Sequence, residues 1–396
     1  MLIGLVGLPN KGKSTFFKAA TLAEVEIANR PFVTIKPNSG AAFVKVDCVD
    51  KEFNVQCNPR FGFCIKNKRF VPIELMDVAG LIEGAYKGAG LGNQFLDDLR
   101  QADAFIQIVD ASGGTNDKGE VVNIGSSDPC KDVGILVNEL DMWFFGLVKK
   151  GWERFARQVH QEKADIRKSL TKQLSGLKVN EDMVNSVLDN INLDESILNW
   201  SDEDLKMLSI EVRKKSKPMI IAANKIDVEG AYDNYLRLKE KFKDYMIVSC
   251  SSEAELALRE AAKHELIEYV PGENDFKILK NMDDVKMNAL KFIKEKILEK
   301  YGSTGVQDVF NKVVFELLKY IAVFPGGVNN LQDKDGRYIP DCFLLKDGSN
   351  ALDFAYTIHQ DIGNNFIKAI TVRNKMAVGK DYELKNRDII EIKMKK

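Results

Sequence analysis

Short apolar runs closed by turn residues alternate with helical patterns over roughly the first 125 residues. Leu2–Gly7 reads as a strand and Ser14–Leu22 as a helix, while Phe70–Asp77 and Ala104–Asp110 read as further strands with a helical Leu91–Arg100 between them. This alternation predicts a mainly parallel α/β sheet. From about Lys131 to Lys215 the pattern changes: Ile135, Leu136, Leu140, Trp143, Phe144 and Leu147 recur at helical spacing amid dense charge. That stretch reads as a helical insert. Lys217–Asp227 resumes the strand pattern and Tyr245–Ser249 adds another strand, so the first domain is interrupted and rejoined. A helical stretch at Asp284–Lys300 leads to Phe324-Pro-Gly-Gly327, a turn that marks a domain entrance. The remaining residues carry short strands and one helical patch near 350–358. The expected division is 1–130 and 217–322 for the interrupted domain, 131–216 for the insert, and 323–396 for a small α+β module.

Composition narrows the class. The chain has 396 residues, 45% of them hydrophobic and 29% charged, which is globular and excludes a disordered or collagen-like chain. Fifty-seven basic residues against 58 acidic ones give a net charge of -1, so there is no overall basic field for nucleic acid or an anionic membrane, which leaves only local patches; no DNA or membrane partner is expected. The apolar N-terminal run lacks a basic region and a small-residue cleavage site, and it leads straight into Pro9-Asn-Lys-Gly-Lys-Ser14. It reads as a buried strand and not as a signal peptide. No apolar stretch reaches the ~18 residues a spanning helix needs. The expectation is a soluble, cytoplasmic protein.

The strongest chemical signal is Gly7-Leu-Pro-Asn-Lys-Gly-Lys-Ser14, a G-x-x-x-x-G-K-[ST] loop between a predicted strand and a predicted helix. Glycines let backbone N–H groups close around phosphate oxygens, and the helix N-terminus adds its positive end. Asn10, Lys11, Gly12, Lys13, Ser14 and Thr15 are therefore the expected phosphate-binding stretch. Lys13 reaches the β- and γ-phosphates and Ser14 ligates Mg²⁺.

Downstream, Asp77-Val-Ala-Gly80 ends an apolar strand, which suits Asp77 to Mg²⁺ and the Gly80 N–H to the γ-phosphate. Asn224-Lys-Ile-Asp227 ends the strand Met219–Ala223. A carboxylate accepts the two hydrogens that guanine offers at N1 and at its 2-amino group. Adenine has neither, so Asp227 argues for GTP over ATP. Ser251 and Ser252 are the expected loop over the base. Thr34 is the candidate for a switch hydroxyl on Mg²⁺ and γ-phosphate, and Lys13, Thr34 and Gly80 form the expected catalytic set.

Beyond this pattern, Pro31-Phe-Val-Thr-Ile-Lys-Pro-Asn38 resembles a stretch of the Obg family of P-loop GTPases. Asp77–Ala85 with Gly88–Phe95 resembles that family's extended second switch. The long helical insert resembles the YchF-related branch in its archaeal-type form. Leu344–Gly363, with Asp353-Phe-Ala-Tyr-Thr-Ile-His359, resembles a TGS domain, a small β-grasp module.

The resemblance implies a P-loop GTPase domain with a mainly parallel sheet, a helical insert and a C-terminal TGS domain. It also implies work on or near ribosomes or RNA, with the nucleotide state setting partner affinity. Leu81 stands where Ras-like enzymes carry a catalytic Gln, so slow intrinsic hydrolysis is expected. Asn10 lies where related loops coordinate K⁺, which makes K⁺ a candidate cofactor beside Mg²⁺. Its alternative reading is a turn residue tolerant of unusual φ/ψ. Val33 replaces the first Thr of the family's usual pair, and Arg30 stands where an aromatic residue is common. YchF proteins proper degrade the base-reading motif and can prefer ATP, whereas this chain keeps it intact. Two other readings stay open: a YchF-like ATPase in stress signalling, and a nucleotide-bound RNA or ribosome adaptor with negligible turnover.

Other clusters carry less. Cys57 and Cys64 flank Asn-Pro-Arg-Phe-Gly-Phe, with Cys48 nearby; the wide spacing and the lack of an evident fourth ligand favour incidental thiols over a zinc or redox pair. His160, His264 and His359 are scattered. Trp143, Phe144, Phe145, Trp152 and Phe155 stand near Lys149, Lys150, Arg154 and Arg157. Helical spacing favours a packed core with a solvated cationic face over an RNA surface.

Overall fold

A computed structural model describes residues 1–22, 39–78 and 100–395. Its central sheet has seven strands: β1 (Leu2–Val6), β2 (Ser39–Asp47), β3 (Phe63–Ile65), β4 (Lys68–Asp77), β5 (Ala104–Asp110), β6 (Met219–Asn224) and β7 (Met246–Ser249). The order is β2-β4-β1-β5-β6-β7, with β3 also paired to β4. Strands β4, β1, β5, β6 and β7 run parallel, while β2 and β3 pair antiparallel with β4, so the sheet is mixed. Strand β5 is buried at every residue, as a central parallel strand covered on both faces must be.

The long strand β2 was not foreseen. Its first half, Ser-Gly-Ala-Ala, has low strand propensity, and β2 forms because β4 offers it a nine-residue antiparallel register. Strands β3 and β4 meet at Lys66-Asn67, both at positive φ (50° and 60°), the two-residue turn whose twist suits a hairpin.

Helix α1 (Lys13–Thr21) follows β1 and packs Phe16 and Ala20 against one face of the sheet, where Ile3, Leu5, Ile106 and Val309 join them. The opposite face meets the insert, whose helices are α2 (Pro129–Lys149), α3 (Trp152–Glu162), α4 (Ile166–Leu174), α5 (Glu181–Leu188) and α6 (Asp202–Ser216). Asp128 caps α2 by accepting the Cys130 N–H at 3.1 Å, and Ser201 with Asp204 forms a capping box on α6. Trp143, Phe144 and Trp152 are buried, Phe145 and Phe155 pack against the same core, and Trp152 stacks on Trp200 at 5.6 Å. Lys149 pairs with Asp202 and Arg157 with Glu153 on the exposed side. The aromatics are therefore core and the cations a solvated face.

Helix α7 (Ala231–Lys241) follows β6, α8 (Ser252–Lys263) follows β7, and β8 (Ile267–Tyr269) pairs with β9 (Phe276–Ile278). Helix α9 (Asp284–Ile293) continues into a π-helical turn, Lys294–Leu298, and α10 (Val306–Asn311) likewise into Lys312–Leu317. The C-terminal sheet contains β10 (Tyr320–Pro325), β11 (Phe343–Lys346), β12 (Phe366–Thr371), β13 (Met376–Val378) and β14 (Ile389–Met394) in the order β11-β10-β14-β12-β13. Strand β10 straddles the division expected at 322/323. Helix α11 (Ala351–Ile358) lays Ala351 and Phe354 on this sheet. His359 is exposed and accepts the Asp361 N–H at 3.1 Å, capping the short α12 (Gln360–Asn364). No helix among the described residues is long and apolar enough to cross a membrane.

Candidate nucleotide-binding site

The parallel strands end side by side, and the chemistry-bearing residues sit at those C-terminal ends. The phosphate loop leaves β1, Asp77 ends β4, Asp110 ends β5, Asn224 ends β6, and Ser251 and Ser252 follow β7. Register holds them together, since Leu5 lies opposite Asp77 and Asp110 opposite Asn224.

Gly12 caps α1 with φ 94°, and a Cβ there would lie 2.2 Å from the Asn224 side-chain nitrogen. Only glycine meets both constraints. Among the described residues no side chain caps α1, which leaves the N–H groups of its first turn open to an anion. Ser14 is exposed on that turn and Thr15 follows it, half-buried. Lys13 forms an ion pair with Asp77, the two being 12% and 20% exposed. An exposed hydroxyl and a carboxylate beside an anion-binding helix end are hard oxygen donors, which fit Mg²⁺.

The Lys11 side chain is turned to the interior. It is fully buried, with its ammonium 2.7 Å from Asp132 Oδ2 and 2.7 Å from the Thr115 carbonyl. What remains to Lys11 at the nucleotide is its backbone. Burial pushes the Asp132 carboxyl above its usual range, even though Lys11 draws it down. Asn10 adopts φ 58°, and its amide donates to the Gly119 carbonyl at 2.8 Å. Its Oδ1 has no partner among the described residues.

Asn224 is the tie between loops. Its Nδ2 donates to the Lys11 carbonyl at 3.2 Å, while its Oδ1 accepts from the Ser252 N–H at 3.0 Å and the Ser252 hydroxyl at 2.8 Å. Lys225, at φ 61°, pairs with the buried Asp110 at 2.8 Å. Burial pushes the Asp110 carboxyl up, but Lys225, Ser112 and Thr115 outweigh it and hold the group below the usual carboxylate range. Asp227 is half-buried, and its carboxylate has no hydrogen-bond partner among the described residues. Its charge, after burial, helps push the Cys250 thiol up. The Ser251 N–H donates to the Thr304 carbonyl at 2.9 Å, and its hydroxyl accepts from Ala254 at 3.3 Å as the cap of α8. Thr34, Gly80, Leu81 and the switch-like stretches Pro31–Asn38 and Gly88–Phe95 lie outside the described residues, as does the predicted helix from Leu91 up to its last residue, Arg100.

Two contributions were missed from sequence. Asp110 and Asp132 carry no motif lettering, yet they hold Lys225 within the base motif and Lys11 within the phosphate loop. A signal existed for Asp110 alone, because a carboxylate ending a buried parallel strand faces the same edge as Asp77.

Comparison with known proteins agrees with this geometry. Residues 2–139 match the family described as 50S ribosome-binding GTPase, residues 222–328 the Obg-like GTPase YGR210-like, G4 motif-containing domain, and residues 331–394 the TGS domain. A GTP-binding protein of Methanocaldococcus jannaschii is 49% identical over 99% of this chain and 98% of its own. The chain belongs to the YchF-related branch of the Obg-like GTPases. The crystal structure of a GTP-binding protein from Pyrococcus horikoshii, 38% identical and covering the whole of both chains, superposes with a TM-score of 0.78. A relative from Buchnera aphidicola bears the name ribosome-binding ATPase YchF; it is 27% identical over 98% of this chain and 97% of its own. This Obg-like chain thus has the fold of a P-loop nucleoside triphosphate hydrolase with a TGS domain at its C-terminal end.

Proposed function

We propose that this protein binds GTP in preference to ATP, hydrolyses it slowly, and uses the nucleotide state to set its affinity for a ribosomal or RNA partner. One observation carries the GTP reading. Asn224 locks the phosphate loop to the Ser252 loop, and Asp227, three residues on, keeps a carboxylate with no described partner. A half-buried acceptor pair of this kind suits the N1 and 2-amino hydrogens of guanine and finds neither at those positions of adenine. Lys13 and the α1 amides would hold phosphate, and Ser14, Asp77 and Thr34 would hold Mg²⁺, which supplies charge neutralisation at the phosphates. Slow turnover follows from Leu81, an aliphatic residue that cannot orient water. The ribosomal partner rests on the description of the matching GTPase family and on the name of the Buchnera relative.

The ATPase reading has an observation of its own. The N–H groups of Ser251 and Ser252 both donate within the protein, which leaves the base loop no spare amide there for guanine O6. Competition of GTP and ATP, with Mg²⁺, against a fluorescent guanine nucleotide separates the two. We expect GTP to compete at least about a hundredfold better, roughly 2.7 kcal/mol; equal affinities or an ATP preference would give the ATPase reading the lead. The Asn10 Oδ1, which has no partner among the described residues, supports the K⁺ reading. Turnover is accordingly expected to be faster in KCl than in NaCl at equal ionic strength, and equal rates would remove K⁺ from the site.

A further inference from the structure

Strand β2 ends at Asp47, and the chain then makes a compact excursion before β3 brings it back to the sheet. Within it Cys48, Asp50, Cys57 and Cys64 converge: three sulfurs and a carboxylate oxygen lie within 4.8 Å of one another. Spacing alone hid this grouping. Cys48 and Asp50 stand at the near end of the excursion and Cys64 at the far end, and the short turn Val49–Phe53 with the β3–β4 hairpin folds them together. The fourth ligand that the sequence lacked is Asp50, which is fully buried.

The arrangement has the marks of a closed metal site. Cys48 is 2% exposed and Cys57 4%. Tetrahedral Zn²⁺ with Zn–S bonds of about 2.3 Å sets its sulfurs roughly 3.8 Å apart. Cys48 and Cys57 are at 3.5 Å, and Cys64 Sγ is 3.7 Å from Asp50 Oδ2. The carboxylate is already oriented, since its Oδ1 accepts from Asn67 at 3.0 Å and its Oδ2 from the Cys57 N–H at 3.1 Å. Outer-shell bonds of this kind fix a ligand before the metal arrives. Arg69, buried, sits 3.7 Å from Cys57 Sγ and offsets part of the charge of three thiolates and a carboxylate. A disulfide would consume two sulfurs and strand the third thiol and a buried carboxylate. A thiolate-rich tetrahedral set with four protein ligands is the structural zinc pattern, with no position left open for substrate.

We propose that Cys48, Asp50, Cys57 and Cys64 bind one structural Zn²⁺. The site lies at the seam between the two sheets. Cys48 and Cys57 share a core with Phe324, Ile339, Val372 and Ile389 of the C-terminal region, and Arg69 donates to the carbonyls of Ile339 (3.1 Å) and Pro340 (2.7 Å). The metal closes the excursion into a rigid pad on which the C-terminal module rests.

Full-length protein, purified under reducing conditions without chelator and analysed by inductively coupled plasma mass spectrometry, is expected to carry about one zinc per chain. Cys342→Ser, which alters a neighbouring thiol outside the tetrad, keeps that zinc, and Cys57→Ser loses it. Should Cys57→Ser fail to fold, titration of zinc-stripped wild-type protein with Co²⁺ decides, because tetrahedral cobalt thiolate gives intense visible absorption and a sulfur-to-metal charge-transfer band. Wild-type protein with fully reduced thiols, no stoichiometric zinc and no cobalt–thiolate bands would overturn the proposal. So would a Cys48–Cys57 disulfide in its peptide map, or zinc retained by Cys57→Ser.

Discussion

Asp227→Asn is expected to lower GTP affinity at least about a hundredfold and to create affinity for xanthosine triphosphate. The carboxylate offers two acceptors in one plane, whereas asparagine offers one acceptor and one donor. Against guanine, one amide hydrogen would then face the 2-amino group, and two donors would confront each other in a partly desolvated pocket. An unmet buried polar group costs about 1–3 kcal/mol. Losing the matched bond as well brings the total to about 3 kcal/mol, or two decades in Kd. Xanthine keeps the N1–H and carries an oxygen at position 2, so the asparagine pair fits it. The substitution should leave the rest of the site in place, because Asp227 accepts no hydrogen bond from any described residue, while Asn224 and Lys225 keep their ties to the phosphate loop and Asp110. Fluorescent GDP and XDP titrations of both proteins measure the exchange. Unchanged GTP affinity, or a loss with no gain for XTP, would mean that Asp227 does not read the base.

The parts of this protein that were legible in sequence are those built from neighbours along the chain. Ala104–Asp110 is a strand with the expected bounds, because a parallel strand buried on both faces has to be continuously apolar. The insert declared itself by helical period, and the glycine-lysine lettering of the phosphate loop placed α1 within a residue of its observed start. Three features stayed hidden for a common physical reason, which is that their meaning depends on partners far away in the chain. Strand β2 exists by pairing with β4. The lettering of Lys11 suggests a phosphate ligand, yet its charge is spent on Asp132 at the start of the insert. Asp50 looks like a surface carboxylate until the hairpin brings three cysteines to it.

Asp132→Ala is expected to be among the most damaging single substitutions outside the apolar core. Lys11 has no exposed side-chain surface, and Asp132 is the acidic group paired with it; the other bond of its ammonium goes to the Thr115 carbonyl. Removing one member of a buried ion pair leaves an uncompensated charge and costs about 3–5 kcal/mol. The pair itself is worth far less than that figure. Asp132 Oδ1 is buried without a partner among the described residues, and burial raises its carboxyl above the usual range, both marks of a desolvation cost only partly recovered. A double replacement, Lys11→Met with Asp132→Leu, removes both charges and leaves chiefly the Thr115 carbonyl unmet, at about 1–3 kcal/mol. The double variant should therefore be more stable than Asp132→Ala alone by about 2 kcal/mol, and a cycle closed with the Lys11→Met and Asp132→Leu single variants should show non-additive losses. Thermal unfolding followed by tryptophan fluorescence reads the stability, and GDP affinity reads the loop. Because the Lys11 side chain and the Asn224 amide both tie down the phosphate loop at Lys11, Asp132→Ala is expected to weaken GDP as well, and the double variant to restore much of it. Additive losses would instead show that Lys11 and Asp132 act separately, and that the insert does not brace the phosphate loop through this pair.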